Sequence, residues 1–379
     1  YTFGGYYTGT SGSGTQYINA NGYLTTSASN TYFGANGTLY AKWTSSSIIL
    51  PTPTRTGYTF NGWYTASSGG TKVGAGGAKY TPNKNLTLYA QWTITKWAIS
   101  SPATGANTFA TAVSKANAGA TLTLQSSYTD STGVSISKNL TVNFANYTVT
   151  MDNNGTGVSV ASPAAVTFNS IVNGSSSSGG ISKTVTGYTI NVSKGGKLTI
   201  KQGTYKNSVS YQTIRSFGYV GISGGTIQSN GGPVIQNGSN GSGENIGKML
   251  ISGGTIKGTG SSSAVIRNFS DEKFTSSECT ELCSIHINGA TIITATSTMA
   301  GVYSDTASGT GKIHFPASYT GTVTVNGNYA IKAGSGKVAA NGGTFVASSK
   351  SYFKDGTRAT FGRGAKCKTG STTKACNSW

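Results

Sequence analysis

The chain has 379 residues, 36% hydrophobic and only 10% charged, with 55 glycines and a formal net charge of +19 at pH 7. No run approaches the roughly 18 apolar residues of a membrane-spanning helix, and 21 Tyr, 13 Phe and regular Val/Ile/Thr alternation exclude a disordered chain. What remains is a turn-rich, β-rich chain of extracellular character, its water-facing surface covered by hydroxyls and amides. The charge is spread: residues 1–100 carry six basic residues and no acid, residues 350–379 contribute another +6, and +7 lies between. An acid-free stretch suits polyanionic partners such as acidic glycans or wall polymers, whereas no motif for sequence-specific nucleic-acid recognition is present.

The first predicted elements form a duplication. YTFGGYYT at 1–8 returns as YTFNGWYT at 58–65, and LYAKW at 39–43 as LYAQW at 88–92. In the second copy, alternation puts Tyr58 and Phe60 on one face until Gly62 permits a bend, after which Trp63 faces inward; Leu86, Leu88, Ala90 and Trp92 come from the returning strand. A module of this size needs that aromatic area as core, since it can bury little else. Residues 51–92, through PTRTGYTFNGWY, GGT and LTLYAQW, resemble the Listeria-Bacteroides repeat, also called the internalin B-type repeat. We therefore read residues 1–43 as a copy truncated in front and residues 44–97 as a complete one. The second copy has a run-up, IILPTPTRTG at 48–57, and the first has none. The expectation is an unpaired strand edge and an apolar groove at Tyr1, Phe3, Tyr6 and Tyr7. Either the chain continues upstream, or a neighbouring subunit inserts the missing strand and builds a head-to-tail filament, with its basic C-terminal tail as donor.

Past Trp97 the vocabulary changes. Phe109, Ala112, Val113 and Ala116 recur at helical spacing, with Asn107 or Thr108 as cap and Gly119 as stop, which predicts a short amphipathic helix near 107–118. Glycine-led phrases then recur at 203–205, 224–227, 253–256, 289–292 and 342–345, with threonine separations of 22, 29, 36 and 53 residues. TGTVTVNG at 320–327 supplies the phrase missing from the longest gap. A loose period of 20-odd residues with two or more short strands is the mark of a β-solenoid. Helix and coil together resemble the pectin-lyase-like right-handed parallel β-helix with its N-terminal cap, which implies that fold over residues 98–349. The fold class expected is thus all-β: two small modules, then a capped parallel β-helix, then a basic tail at 350–379.

Cys279 and Cys283, and Cys367 and Cys376, form two close pairs without nearby histidine, fitting disulfides better than zinc. Two local bridges are expected, although four cysteines allow three connectivities.

Catalysis on a β-helix needs carboxylates gathered on neighbouring coils. Of the nine acids, Asp130, Asp152, Glu244, Asp305 and Asp355 stand singly, and Asp271, Glu272, Glu278 and Glu281 cluster in one loop around a cysteine pair. His286 and His314 sit between apolar neighbours, on the outward face of strands. The sequence SISK at 135–138 has the S-x-x-K spacing but lies on a strand. No catalytic residue, metal site or cofactor is therefore assigned. The expectation is a secreted bacterial surface protein with a structural or adhesive role; the alternative is a polysaccharide lyase or hydrolase on the β-helix.

Overall fold

The computed structural model describes residues 1–25, 37–239, 246–260, 262–272, 274–276, 279–289, 292–295, 299–306, 308–326, 328–349 and 352–378; for 274–276, 279–282 and 292 only the backbone is described. The chain forms two compact units, Tyr1–Thr93 and Ile94–Trp379.

The first unit holds the two modules. In the first, strands Gln16–Ile18, Thr2–Tyr7 and Tyr40–Thr44 form an antiparallel sheet in that order. In the second, Lys72–Gly74, Tyr58–Tyr64 and Tyr89–Ile94 repeat the arrangement, and Ile48–Ile49 pairs with Lys79–Tyr80. The central strand of each carries a glycine at or next to its register shift. Gly5 has φ +104° and Gly62 φ +129°, and a Cβ there would meet Ile18 O at 2.2 Å or Gly74 O at 2.7 Å. Only glycine fits such a bulge.

The second unit is a parallel β-helix. Leu140–Asn143 lies in a first sheet, Thr148–Met151 in a second and Val158–Val160 in a third, and Ala165–Asn169 returns to the first. Among the described residues the first sheet stacks ten parallel strands, from Thr121–Leu124 to Ala359–Phe361, about 43 Å at the usual strand spacing. Period-2 alternation sends Val142, Phe168, Ile200, Ile222, Ile251 and their counterparts inward, all fully or almost fully buried. The threonines of the recurring phrases share a column: Thr204 pairs with Thr226, Thr226 with Thr255, and Thr322 with Thr344. So TGTVTVNG does supply the extra coil. The phrase at 289–292 is one residue out of phase, and Ile292 rather than Thr291 takes the register position between Thr255 and Thr322.

Both ends are plugged. The cap helix runs Phe109–Lys115, shorter than expected because Ala116 is already extended (ψ 141°), which lets Asn117 N–H bond Ser101 O at 2.8 Å. Thr108 caps its first turn, and Phe109, Ala112 and Val113 face the core. Trp97 stacks on Phe109 at 4.6 Å, and the aromatic contacts continue through Phe144, Phe168 and Tyr205. The hairpin Trp97–Ser100 and Ala103–Ala106 pairs antiparallel with Thr121–Leu124, closing the first sheet's edge.

At the other end the coils run past 349. Lys354–Asp355, Ala359–Phe361 and Lys366–Thr369 extend the third, first and second sheets. The segment read as a tail is thus a final coil with buried Ala359, Ala365 and Cys367, followed by a closing strand, Thr372–Ala375. Its inward runs are too short for the alternation to be legible.

A polar ladder crosses the core where the third sheet ends. Asn237 and Asn268 occupy one register position on adjacent strands, fully buried, and Asn237 Nδ2 donates to Asn268 Oδ1 at 2.9 Å and to Gly247 O at 3.0 Å. Asn268 Nδ2 donates in turn to Ser270 O and Ser304 Oγ. Each amide satisfies backbone groups at a corner that the ladder of strands cannot reach.

Candidate functional site

Side chains that alternate outward on a parallel sheet line up in columns, one residue per rung, about 4.8 Å apart. On the first sheet one such column collects cations from far apart in sequence. Lys197 stands beside Tyr219 and Tyr219 beside Lys248; further along, Lys312 stands beside Lys337. Arg358 precedes Ala359, the partner of Val338, and so continues the same edge. Two clefts lie on this column. One, of about 220 Å³, is lined by Lys194, Lys197, Phe217, Tyr219 and Lys248, with Glu272 at its side. The other, of about 270 Å³, is lined by Lys312, Lys337, Ala339, Arg358 and Thr360, with no carboxylate among its described lining residues. Glu272 is 3.9 Å from Lys248, a distance worth little at an exposed site. Lys312 itself is buried, and strand Cys279–Cys283 lies against its strand.

The third sheet carries a second column, Arg215, Gln236, Arg267, Tyr303, Lys332 and Asp355 on successive strands. Here cations alternate with rings. The Arg215 guanidinium lies 4.5 Å from the Phe217 ring centroid and 5.0 Å from Tyr188; that of Arg267 lies 4.2 Å from Phe269 and 5.3 Å from Tyr303; Lys332 Nζ is 5.1 Å from Tyr303. Asp305 is 3.6 Å from Arg267, and Asp355 is 3.9 Å from Lys332. Burial, reinforced by the hydrogen bond and charge of Asp305, pushes the Tyr303 phenol up, so it is no base at neutral pH.

Two further acids hold structure. Asp130 is buried and accepts from Phe109 N, Thr132 N and Tyr128 Oη. Asp271 accepts from Ser308 N at 2.9 Å and Gly311 N at 3.0 Å; burial works against its charge, but hydrogen bonds from Ser308, Thr306 and Gly311 prevail and bring its pKa down to about 2. Glu244 and Glu278, and the side chain of Glu281, lie outside the described residues. In SISK, Lys138 Nζ donates to Ala116 O at 2.6 Å and Ser114 O at 3.2 Å, closing the cap helix's carbonyl end.

His286 and His314 occupy outward register positions, as alternation requires, since Ile285, Ile287, Ile313 and Phe315 point inward. Yet both are buried, with their Nδ1 atoms 3.3 Å apart. Strand Cys279–Cys283, part of the inserted hairpin, lies against Lys312–Phe315. The Cys367–Cys376 bridge is present. The Cys279–Cys283 pairing falls on a side chain outside the described residues.

In the front unit, each module is built on one aromatic triad. Phe60 lies 5.7 Å from Trp63 and 5.1 Å from Trp92; Phe3 lies 5.2 Å from Tyr6 and 5.1 Å from Trp43. Residues 43–91 match the family model of the Listeria-Bacteroides repeat domain. No curated protein and no solved structure matches the chain. Within the matched Listeria-Bacteroides repeat, the run-up does not lie beside the GYTF strand. Its Ile48–Ile49 pairs with Lys79–Tyr80, Leu50 is buried, and Pro51 O accepts from Trp63 Nε1 at 2.8 Å. The expected open edge at Tyr1, Phe3, Tyr6 and Tyr7 is corrected at Tyr6 and Tyr7, whereas Thr2 and Phe3 pair on one side alone among the described residues. Thr2–Tyr7 is the central strand of its sheet, paired with Tyr40–Thr44 on one side and, at Tyr6 and Tyr7, with Gln16–Ile18 on the other. The neighbour a repeat needs along its GYTF strand comes from the same module, because the returning LYAKW strand supplies it.

Neither column was visible in the sequence, where the basic residues read as diffuse charge. A signal existed: Lys197, Lys312 and Lys337 each stand one place before an inward aliphatic at a strand's start.

Proposed function

We propose that this chain is a bacterial surface protein that works by adhesion rather than catalysis, and that its β-helix holds a linear acidic polymer, a glycan or a wall polymer, along the cationic column of the first sheet. The repeat at 43–91 supports the surface setting; no helix among the described residues is long and apolar enough to cross a membrane. One observation supports the ligand class: Lys337 and Arg358 border a cleft that has no acid among its described lining residues. A polyanion lying along the column would meet Lys197, Lys248 and Lys337 in turn.

The test is binding of the purified protein to polygalacturonate over a series of salt concentrations, for wild type and a K337E/R358E variant. The expected result is weaker binding by the variant, with the slope of log affinity against log salt reduced by roughly 0.7 to 0.9 per cation removed; thermal melts provide the folding control, since Arg358 also donates to Gly309 O and Ser335 O. Unchanged affinity would overturn the assignment to this column. Equal binding of single-stranded DNA would reduce the reading to sequence-blind attraction to any polyanion. New reducing or unsaturated ends on the polymer would establish the lyase or hydrolase alternative.

A further inference from the structure

Where the strands of the second sheet end, one register position is filled on successive rungs by Asp130, Met151, Lys183, Asn207 and Ser229, all buried. Lys183 is the odd member of this stack. Its side chain is fully buried, yet its amine forms no ion pair. Among the described residues the one buried acid is Asp130, two rungs away, and its carboxylate is taken by Phe109 N, Thr132 N and Tyr128 Oη. A buried cation without a counterion is costly. Burial pushes the Lys183 ammonium down from its ordinary value, against the opposing pull of Asp152, which lies exposed in the turn after Met151.

What the amine touches is Asn153, in the turn that leaves the Thr148–Met151 strand for the third sheet. Lys183 Nζ donates to the main-chain O of Asn153 and lies 3.2 Å from its side-chain Oδ1. The carboxamide is held from its other end, where Nδ2 donates to Thr156 O at 2.9 Å and Asn154 O at 3.3 Å. An amine that has lost its proton is a nucleophile, and it already lies against an oxygen one bond from the acyl carbon. Asp152, the next residue back along the chain, supplies a carboxylate for proton transfer.

We propose that Lys183 and Asn153 are a self-modification site, joined after folding by an intramolecular amide bond between one coil and the next. The lone pair of Lys183 Nζ attacks Asn153 Cγ and the Nζ–Cγ bond forms. The Cγ–Nδ2 bond breaks, its electron pair leaves on nitrogen, and a proton released by the amine passes to that nitrogen through the Asp152 carboxylate, so one molecule of ammonia departs and no other reactant is consumed. Asn153 is half-buried, which leaves the ammonia a way out. The product exchanges a buried charge for a neutral amide, which removes the cost of the unpaired cation. It also closes a ring between residues 30 apart in sequence, across adjacent rungs otherwise joined by strand hydrogen bonds alone at Met151 and Lys183. A coil stapled in this way cannot be peeled from its neighbour without breaking a covalent bond. The crosslink does not depend on what the first sheet binds.

Peptide mapping of the purified full chain by mass spectrometry tests the bond. Trypsin does not cut after an acylated lysine, so the expected product is a single peptide spanning 139–194, lighter than its sequence by one ammonia; chymotrypsin then cuts at Phe168, inside the closed ring, and the two parts stay joined. Asn153→Ala, at a half-buried turn position, should restore cleavage after Lys183 and give peptides 139–183 and 184–194 at their sequence masses. Asp152→Asn, at an exposed position, should fold and remain largely uncrosslinked; complete crosslinking there overturns the role given to Asp152. Separate peptides 139–183 and 184–194 of sequence mass from the wild-type chain overturn the proposal and leave Lys183 a hydrogen-bonded amine. Loss of ammonia that hydroxylamine reverses, confined to the neighbouring Asn154–Gly155 pair, marks a succinimide and overturns it equally.

Discussion

The main-chain N–H of Phe109 donates to the carboxylate of Asp130 at 3.1 Å, joining the first turn of the cap helix to the first strand of the second sheet. The same carboxylate takes the Tyr128 hydroxyl at 2.9 Å and Thr132 N–H at 3.1 Å, and Tyr128 Oη in turn accepts from Trp97 Nε1 at 2.8 Å. A buried acid thus satisfies a helix donor that has no partner within the helix and carries negative charge where the helix dipole favours it. Replacing Asp130 by Asn keeps the shape and removes the charge. The expected cost is about 2 kcal/mol in chemical denaturation of the β-helix, against about 1 kcal/mol for Thr108→Ala, which removes only the helix cap.

Acid should loosen one corner before the rest. Asp271 binds the 308–311 segment by its backbone N–H groups, and its pKa is down at about 2. A carboxylate with a lowered folded-state pKa contributes stability above its unfolded value, near 4, and loses it as pH falls toward 2. Hydrogen exchange at Ser308, Thr310 and Gly311 should accelerate over that window. In Asp271→Asn the exchange should already be fast at pH 7 and lose its pH dependence there.

The Cys367–Cys376 bridge closes a ring of small sequence separation at the last hairpin, where strand Thr372–Ala375 pairs with Lys366–Thr369. Closure of so short a ring is worth roughly 2 to 3 kcal/mol. Reduction, or the Cys367→Ser/Cys376→Ser double change, should release protection at 372–375 first and leave the cap helix unaffected, as followed by hydrogen exchange. Uniform loss of protection across the unit would contradict the local role.

Gly62 tests the repeat. At φ +129°, with a Cβ falling 2.7 Å from Gly74 O, Gly62→Ala should cost between about 1 and 3 kcal/mol. The loss should register as early unfolding of the Tyr58–Tyr64 strand, read by the fluorescence of Trp63 and Trp92, while the β-helix transition stays in place.

The sequence by itself determined the local grammar. Alternation identified the inward residues, the spacing of Phe109, Ala112 and Val113 marked the cap helix, the position of Gly62 marked the bulge, and the short gap between Cys367 and Cys376 marked the bridge, because each is a relation among near neighbours governed by a fixed period or a short ring. Tertiary structure alone decided which distant residues meet. Coils vary in length: the step from Lys197 to Tyr219 on one register position is 22 residues, and from Tyr219 to Lys248 it is 29. No fixed period therefore brings Lys312 to Lys337 or Arg215 to Arg267. Likewise, outward alternation placed His286 and His314 on the correct face but could not show that an inserted hairpin lies over that face, and a run-up strand read as the neighbour of GYTF pairs instead with Lys79–Tyr80. Strand periodicity fixes the side of the sheet a residue occupies; hydrogen-bond register between coils, set by turn lengths that periodicity does not encode, fixes its neighbours.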